Sequence, residues 1–321
     1  MDNILILDTS VGSRNKGDDI IMECVYKELE FLKKKNFVLT LPTHVSSFHF
    51  YQVLRNSLAI QTYTNCKYKF AGGTNLLVKN MLTHYPQWNI NWWNSKPFRG
   101  LVLMGVGAGA GEKTNWYTKK LYNKILSQNF LHSVRDERSK DFLQSIGLKA
   151  INTGCVTLWK LTPEFCKSIP QQKSDKVVFT LTATEKDETD QKLIDILINN
   201  YKEVYFWPQG YKDYDYLHLF NNIENIKILE ASKDAYDEFL TNNETDYVGT
   251  RLHGGIYALR HKRRAIILAI DERARGIHDS NKIPCIEKTN LDELKTMINS
   301  VFETNVVLNK EAIDLWESQF N

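Results

Sequence analysis

At 321 residues the chain is long for one hydrophobic core and comfortable for two domains. Hydrophobic residues make up 42% of it and charged residues 25%, which is ordinary for a soluble globular protein. The net charge of +3 gives no global electrostatic case for a nucleic-acid partner. Five scattered cysteines form no Cys-x-x-Cys pair, so we expect reduced thiols rather than a disulfide frame or a zinc site.

A first strand is expected almost at Met1, with no signal peptide before it. No apolar run approaches the ~18 residues that a membrane-spanning helix needs. Both observations predict a cytoplasmic protein, and the inner face of the membrane is the other location considered.

Short apolar strands alternate with longer amphipathic stretches, which predicts parallel β-α-β units. The expected strands of the first half are Ile4–Leu7, Phe37–Leu41, Lys67–Phe70, Leu101–Gly105, Phe130–Arg135 and Lys149–Asn152. Those of the second half are Lys176–Leu181, Glu203–Pro208, Ile226–Leu229, Tyr247–Gly249 and Arg264–Ile270. The expected helices are Asp19–Lys34, Asp190–Tyr201, Leu291–Glu303 and Lys310–Phe320.

The stretch Lys160–Ser174 contains two prolines and a polar run, which is typical of an interdomain linker. We therefore predict an α/β protein with two Rossmann-like, doubly wound domains facing a central cleft. Their expected bounds are residues 1–165 and 175–305, followed by a C-terminal helix within 306–321. In such sheets ligands bind at the carboxyl ends of the strands.

The segment Asp246-Tyr-Val-Gly-Thr-Arg-Leu-His-Gly-Gly-Ile256 is the most informative one. Arg251 and His253 are expected on one side of an extended stretch, before a helix that begins near Ile256. Gly254 and Gly255 would leave backbone N–H groups open to a ligand. A cation, a titratable group and N–H donors around one point suit an anion that also exchanges a proton. A core histidine with a satisfied hydrogen bond is the alternative for His253.

The first loop places Asn15, Gly17 and Asp18 just before a predicted helix. The segment can cap that helix and expose its N–H groups to a ligand. Simple capping by Asp18 or Asp19 is the alternative.

Two further glycine-bearing loops, Gly72-Gly-Thr-Asn75 and Gly105-Val-Gly-Ala-Gly109, also follow strands. Together with the first loop they would line one edge of the sheet. Arg135 is expected to end a strand and point into the same rim, with Asp136 starting a helix. A surface pair between Arg135 and Asp136 or Glu137 is the other interpretation.

The segment Trp88-Asn-Ile-Asn-Trp-Trp-Asn94 holds three tryptophans. Core or interdomain packing is expected for them, and a sugar-stacking or membrane-contacting loop is the alternative. The run Arg260-His-Lys-Arg-Arg264 is expected to interact with the negative C-terminal end of a helix dipole. Binding to an anionic membrane surface is the second possibility.

Taken together, these segments resemble the polysaccharide pyruvyl transferase family from about residue 4 to 285. The matching pieces are Asn15-x-Gly-Asp18, Gly72-Gly-x-Asn-Leu76, Gly105-Val-Gly107, Val134-Arg-Asp136, Gly249-Thr-Arg-Leu-His-Gly-Gly255 and, more weakly, Asp271-x-Arg273. The family is similar in fold to GT-B glycosyltransferases, in which the last helix commonly crosses back onto the first domain. This chain departs from many relatives at Gly154-Cys-Val156, where they carry Gly-Asp-Pro, so a carboxylate contact is absent here.

The resemblance implies transfer of pyruvate from phosphoenolpyruvate to two hydroxyls of a sugar in a cell-surface polysaccharide precursor. A cyclic ketal forms and phosphate is released, with no cofactor. The sequence itself shows no clustered His, Asp and Glu set that calls for a catalytic metal. The acceptor sugar would be nucleotide- or lipid-linked. No nucleic acid is expected as a partner. Peripheral contact with a membrane is also considered.

The resemblance also assigns roles to individual residues. His253 would be the general acid and Asp18 the base. The donor would contact Arg135, Arg251, Gly254, Gly255 and Arg273. The remaining residues of the expected cleft are Asn15, Gly17, Gly73, Asn75 and Gly107.

Two other functions are considered. A GT-B glycosyltransferase with a nucleotide-sugar donor would need an acidic ribose contact in the second domain, for which Glu230 is the nearest candidate. A non-catalytic sugar-binding module would have an incomplete set of Arg and His residues, whereas Arg135, Arg251 and His253 are all present.

Overall fold

The computed structural model describes residues 1–83, 88–109 and 114–321. The chain divides into two compact units. The first comprises Met1–Ser13, Ile21–Val156 and Asn309–Asn321, and the second comprises Arg14–Ile20 and Thr157–Leu308. The main part of the second unit thus starts before the stretch Lys160–Ser174 that was expected to link the domains. The second unit also includes the end of the first loop and the start of the helix that follows it.

The first unit is built on six parallel strands. They are β1 (Asn3–Asp8), β2 (Phe37–Pro42), β3 (Tyr68–Gly72), β4 (Leu101–Met104), β5 (His132–Val134) and β6 (Ala150–Asn152). Four of them form a sheet in the order β2-β1-β3-β4, and β5 pairs with β6. The bridge between Val106 and Val134 joins the end of β4 to β5. Side chains from Ile4 to Leu7 and from Leu101 to Met104 are almost wholly buried, as expected of parallel strands covered on both faces.

Helices flank these strands. They are α1 (Gly17–Glu28), α2 (Glu30–Lys33), α3 (Phe50–Leu54), α4 (Leu58–Thr64), α5 (Trp116–Ile125) and α6 (Glu137–Ser145). Asp136 caps α6 by accepting the N–H of Ser139, as its predicted place at a helix start requires. The single helix predicted for Asp19–Lys34 is instead two helices separated at Leu29.

The second unit has one six-stranded parallel sheet. Its strands are β7 (Lys176–Thr180), β8 (Glu203–Phe206), β9 (Lys227–Ile228), β10 (Asp246–Gly249), β11 (Ala265–Ala269) and β12 (Cys285–Glu287). The strand order is β12-β11-β10-β7-β8-β9. The order therefore reverses between β7 and β10, which is where doubly wound sheets bind their ligands. The last strand, β12, was not predicted.

The helices of the second unit complete the doubly wound pattern. They are α7 (Pro163–Cys166), α8 (Thr189–Asn200), α9 (Asp213–Leu217), α10 (Lys233–Asn242), α11 (Leu252–Arg260), α12 (Glu272–Asn281) and α13 (Leu291–Asn299). The α/β class with doubly wound parallel sheets is confirmed. Within the described ranges, no helix is long and apolar enough to cross a bilayer.

The C-terminal helix α14 (Lys310–Glu317) belongs to the first unit, where it contacts β5 and β6. Trp316 is fully buried, and Phe320 packs edge-on against Phe70 with ring centroids 5.0 Å apart. Gln319 accepts the N–H of Leu131. This aromatic cluster fixes the end of the chain on the sheet of the first unit.

Candidate functional site

Arg251 is held by a buried carboxylate. Its Nε donates to Oδ2 of Asp213 at 3.0 Å, and its Nη2 lies 2.5 Å from Oδ1 of the same residue. The Asp213 side chain is fully buried, whereas the Arg251 side chain is 15% exposed. Asp213 also accepts the backbone N–H groups of Gly210 and Ala183 at 2.7 and 3.1 Å. The carboxylate of Asp213 is therefore fully hydrogen-bonded, which a buried charge requires.

The position of Arg251 follows from the strand order. It comes two residues after β10, and its Nε also donates to the carbonyl of Leu181, just beyond β7. These are the two strands between which the sheet order reverses. Gly210 makes room for the guanidinium, because a Cβ at this position would lie 2.2 Å from Nη2 of Arg251. Nη1 of Arg251 makes no hydrogen bond to the described part of the chain, which leaves one edge of the guanidinium for a ligand.

The prediction that Arg251 and His253 share one side of an extended segment was wrong. Arg251 is the N-cap of α11, and the helix begins at Leu252 rather than near Ile256. His253 is the second helical residue and is half-buried. Strand alternation therefore does not align the two side chains, since successive helical residues turn by about 100°. What they share is the N-terminal end of one helix.

Gly255 has a packing role in place of the open N–H group that the sequence predicted for it. Its N–H donates to the carbonyl of Arg251 at 3.1 Å, as the first bond of the helix. A Cβ there would lie 2.4 Å from Cγ1 of Ile267 and 2.8 Å from Cε1 of Tyr247. The helix can approach β10 and β11 only because this residue has no side chain. Its N–H is accordingly not open to a ligand, in contrast to the sequence prediction.

Gln209 connects the first turn of α11 to the loop around Asn15. Its Nε2 donates to Oδ1 of Asn15 at 2.8 Å. Its Oε1 lies where a Cβ on Gly254 would approach to 2.8 Å. Gln209 is 2% exposed, and this Oε1 has no hydrogen-bond partner among the described residues. A buried acceptor without a partner is unusual, and a donor from an ordered water or a bound ligand would satisfy it.

The loop around Asn15 takes the place that the sequence predicted for it at the start of α1. Oδ1 of Asn15 accepts the N–H of Gly17 at 3.0 Å, so Asn15 and not Asp18 or Asp19 supplies this helix-start bond. A Cβ on Gly17 would lie 2.8 Å from Nε2 of Gln209. Asp18 is 7% exposed. Asn15, Gly17 and Gly254 are thus brought together around Gln209, within the second unit.

In the first unit, Arg135 is the centre of the loops that were predicted to line the sheet edge. Its Nη2 donates to Oδ1 of Asn75 at 2.5 Å, and its Nε lies 3.3 Å from Oδ2 of Asp136. A Cβ on Gly107 would lie 2.4 Å from Cζ of Arg135, so Gly107 provides the space for the guanidinium. The Arg135 side chain is 6% exposed, so Arg135 is not a surface arginine, although the pair with Asp136 that the alternative interpretation expected does form.

Gly73 and Thr74 turn the chain between β3 and Asn75. Both have positive φ, 58° and 48°. A Cβ on Gly73 would lie 1.9 Å from Cγ2 of Ile21 in α1, so the close approach requires glycine here. Thr74 then accepts the N–H of Gly107 at 2.9 Å, which joins the two glycine-bearing loops. Gly111, a later glycine of the second loop, lies outside the described residues.

Arg273 is not drawn into either cluster. Its side chain is half exposed, and it pairs with Asp271 at the start of α12. The run that closes α11 is also occupied: Arg260 donates to the carbonyl of Thr157, and Arg264 is 1% exposed and paired with Asp246. Arg260 and Arg264 are thus not surface cations, whereas Lys262 is exposed, and membrane binding by this run stays a prediction.

Sequence reasoning missed Asp213, Gly210 and Gln209. All three lie after β8 in the segment Trp207-Pro-Gln-Gly-Tyr-Lys-Asp213, so the available signal was a polar, glycine-containing stretch directly after a strand. No group of three or more His, Cys, Asp or Glu side chains within the described ranges could hold a metal ion. The five cysteines, all within the described ranges, are buried and form no disulfide bond.

The chain is similar in fold to two solved structures. One is the UDP-GlcNAc 2-epimerase of Methanocaldococcus jannaschii in complex with UDP-GlcNAc and UDP, with a TM-score of 0.55, 13% identity and 100% of both chains covered. The other is the S. aureus MnaA–UDP co-structure, with a TM-score of 0.51, 11% identity and 94% and 91% of the two chains covered. These identities show the fold alone, which is of the GT-B type. No curated protein matches the chain.

The family comparison covers the segments that build both arginine clusters. A model of the family described as polysaccharide pyruvyl transferase matches residues 15–272. The matched range runs from Asn15 past His253 and ends just before Arg273. Because the match spans well over half of the sequence, the chain belongs to the polysaccharide pyruvyl transferase family.

Proposed function

We propose that this protein transfers pyruvate from phosphoenolpyruvate to two hydroxyls of a sugar and releases phosphate. Membership of the family indicates a transferase with a pyruvyl transferase role. The observation that carries the finer proposal is the fixed guanidinium of Arg251, which lies at the reversal point of the sheet beside the helix start that holds His253. That arrangement suits a small anion whose reaction includes a proton transfer.

Arg251 is assigned to the donor anion. Phosphoenolpyruvate carries a phosphate and a carboxylate, and planar guanidinium groups bind such oxygens through paired hydrogen bonds. Asp213 offsets the charge of Arg251 but fixes its orientation. The contribution of Arg251 is therefore a set of hydrogen-bond donors in a fixed position. The N-terminal end of α11 adds partial positive charge. The assignment of Arg135 as a second donor contact stays a prediction.

His253 is assigned to the proton transfer. Protonation of the methylene carbon of phosphoenolpyruvate turns C3 into a methyl group and leaves C2 electron-poor. A sugar hydroxyl then attacks C2 and loses its proton to a base, for which Asp18 is the candidate. The C2–O bond to phosphate breaks, phosphate leaves with the bonding electron pair, and the second hydroxyl closes the cyclic ketal as its own proton is lost.

The dipole of α11 disfavours a protonated imidazole at His253, whereas a bound dianionic phosphate favours it. Donor binding would therefore supply the charge that makes His253 an acid. This order of events predicts that a variant that binds phosphoenolpyruvate poorly also transfers a proton to its methylene carbon poorly.

The acceptor is proposed to be a nucleotide-linked or lipid-linked sugar. The solved structure from M. jannaschii that shares the fold contains UDP-GlcNAc, which supports a nucleotide-linked sugar. The same observation favours a second candidate function, transfer of a glycosyl group from a nucleotide sugar.

One assay separates the two functions. The protein is incubated with phosphoenolpyruvate and a panel of nucleotide-linked and lipid-linked sugars, and phosphate release is measured beside nucleotide release. Phosphate release that depends on the sugar supports pyruvyl transfer. Nucleotide release without any turnover of phosphoenolpyruvate would contradict pyruvyl transfer and support glycosyl transfer.

Two variants test the assigned roles. His253→Ala should lower the rate by ~10²–10⁴ while donor affinity is largely kept, since one general acid is lost. Arg251→Lys should instead raise the KM for phosphoenolpyruvate, because a lysine cannot reproduce the planar contacts. Arg275→Lys is the matched control, since Arg275 is a more exposed arginine of the same unit, paired with Glu287. A collapse of donor affinity in His253→Ala with normal turnover would make His253 a binding residue.

A further inference from the structure

The charge of this chain is unevenly distributed along the sequence. From Phe31 to Arg135, 14 residues are Lys or Arg and one, Glu112, is acidic. The whole chain has 41 basic and 38 acidic residues, so the remainder carries 27 basic against 37 acidic ones. The modest net charge of +3 therefore conceals a basic first unit, which holds 19 basic and 12 acidic residues. Glu112 itself lies outside the described residues.

Six cations of this segment lie at the end of α3, within residues 92–99 or on α5 of the first unit. They are Arg55, Lys96, Arg99, Lys119, Lys120 and Lys124. Within residues 1–83, 88–109 and 114–321, none of the six forms an ion pair with a carboxylate. Burial and the neighbouring charge of Arg99 both lower the pKa of Lys124, which places two of these cations within electrostatic range. A cluster of like charges without counter-ions is stabilised by an anionic partner.

Large apolar side chains are exposed among these cations. Leu54 is 67% exposed and Leu58 is 80% exposed, at the end of α3 and the start of α4. Trp93 and Trp116 are 70% and 69% exposed. Of the three tryptophans expected to pack internally, only Trp88 is buried.

Direct contacts join the exposed residues into one surface. Nζ of Lys96 donates to Oδ1 of Asn56, between Leu54 and Leu58. Nζ of Lys124 lies 3.7 Å from the ring centroid of Trp92 and donates to the carbonyl of Trp92. The hydroxyl of Tyr117, beside Trp116 in α5, accepts the N–H of Trp92. We call this surface, formed by α3, α4, residues 92–99 and α5, the basic aromatic face.

We propose that the basic aromatic face docks on an anionic lipid bilayer. Exposed indoles lie at the level of the lipid headgroups, and lysines and arginines bind the negative surface charge. The two leucines decide against a nucleic acid or an acidic polysaccharide, because aliphatic side chains gain nothing from phosphates or sugars but do gain from entering the acyl boundary. A single partner, the anionic bilayer, would thus bury the exposed apolar side chains and neutralise the unpaired positive charges.

The test is co-sedimentation of the full chain with vesicles, and it needs no knowledge of the acceptor sugar. One set of vesicles contains phosphatidylcholine alone, and the other contains equal parts of phosphatidylcholine and phosphatidylglycerol. We expect binding only to the second set, weakened by salt. Each cation at such a surface contributes about fivefold, so Lys120→Gln/Lys124→Gln should bind about 30-fold more weakly. The matched control is Lys167→Gln/Lys202→Gln, which removes two exposed lysines of the second unit.

A second variant tests the apolar part. Leu54→Ser/Leu58→Ser keeps every charge and changes only exposed side chains, so the fold should be retained. Binding to the anionic vesicles should fall by about tenfold. Equal binding to both vesicle sets, no binding to either, or an equal loss in the lysine control would overturn the proposal. Binding of a single-stranded oligonucleotide without any vesicle binding would overturn it in favour of a nucleic acid.

Discussion

The two arginines of this molecule are held in contrasting ways. Arg251 of the second unit is gripped by Asp213, a fully buried carboxylate whose oxygens also accept two backbone N–H groups. Arg135 of the first unit is held by the neutral amide of Asn75 and by Asp136, which is 35% exposed. In both cases a glycine supplies the space, Gly210 for the first and Gly107 for the second.

The contrast separates orientation from charge. A buried carboxylate cancels most of the positive charge of Arg251, because the pair is close and shielded from water. An amide cancels none, and a half-exposed carboxylate is screened by solvent. Arg135 therefore keeps more of its charge for an anion, whereas Arg251 offers a fixed direction. Removing the residue that holds each arginine should have different consequences.

The largest effect is expected for Asp213→Asn. The change keeps the shape of the side chain but leaves the charge of Arg251 without its counter-ion, and it turns an amide N–H toward donors. Breaking a buried ion pair in this way costs ~3–5 kcal/mol of stability. The measurement is the free energy of unfolding in urea, compared with the unchanged protein.

The control for this prediction is the double variant Asp213→Asn/Arg251→Gln. Without the arginine there is no unpaired charge to bury, so the double variant should be more stable than Asp213→Asn alone. Asp213 does not hold Arg251 if the stability losses of Asp213→Asn and Arg251→Gln simply add in the double variant. The same conclusion follows if Asp213→Asn costs less than about 1 kcal/mol, which is the scale of an exposed ion pair.

An intermediate effect on folding stability is expected from a change in pH. It arises in β5, the strand that directly precedes Arg135. His132 in β5 is fully buried; its Nδ1 accepts the N–H of Leu103 at 3.2 Å, and its Nε2 lies 2.9 Å from the carbonyl of Ser127. The imidazole is therefore neutral, with its proton on Nε2. Burial lowers the pKa of His132 from 6.5 to about 4, although the Ser127 contact opposes the shift.

Because the unfolded chain binds this proton more readily, folding stability falls as the pH drops from 6.5 toward 4. The full loss is about 3 kcal/mol, from ~1.4 kcal/mol for each unit of pKa. Urea unfolding at intervals between pH 7 and pH 4 measures it. His132→Gln cannot titrate, so the difference between the two proteins should shrink with acid; a constant difference would show that His132 does not carry the acid sensitivity.

The fold was largely predictable from the sequence because local pattern decides it. Leu101–Met104 and Ala265–Ala269 are continuous apolar runs, as strands covered on both faces must be. Weaker elements were missed where the pattern is short, as at β12, whose three residues include an exposed Glu287.

The candidate site was predictable only where its residues are close in sequence. The strand-to-helix passage with Arg251 and His253 was recognisable from its residue types, and Arg135 from its place after a strand. Asp213 and Gln209 were not, because the strand order brings them beside Arg251 from a distant segment. The true start of α11 was also hidden, since a Gly-Gly pair reads as a break unless Ile267 is known to pack against it.

The smallest effect is expected for Asn75→Ala, which removes the amide that holds Arg135. A hydrogen bond to a charged group contributes ~1.5–3 kcal/mol, and Asp136 remains to hold part of the guanidinium. The free energy of unfolding should therefore fall by less than in Asp213→Asn. Arg135 should keep its charge but lose its orientation, so the KM for phosphoenolpyruvate should rise if Arg135 contacts the donor. Asn129→Ala, at an exposed asparagine of the same unit, is the control. A stability loss as large as that of Asp213→Asn would mean that amide and carboxylate anchors are equivalent here, and would remove the distinction between an arginine that supplies charge and one that supplies direction.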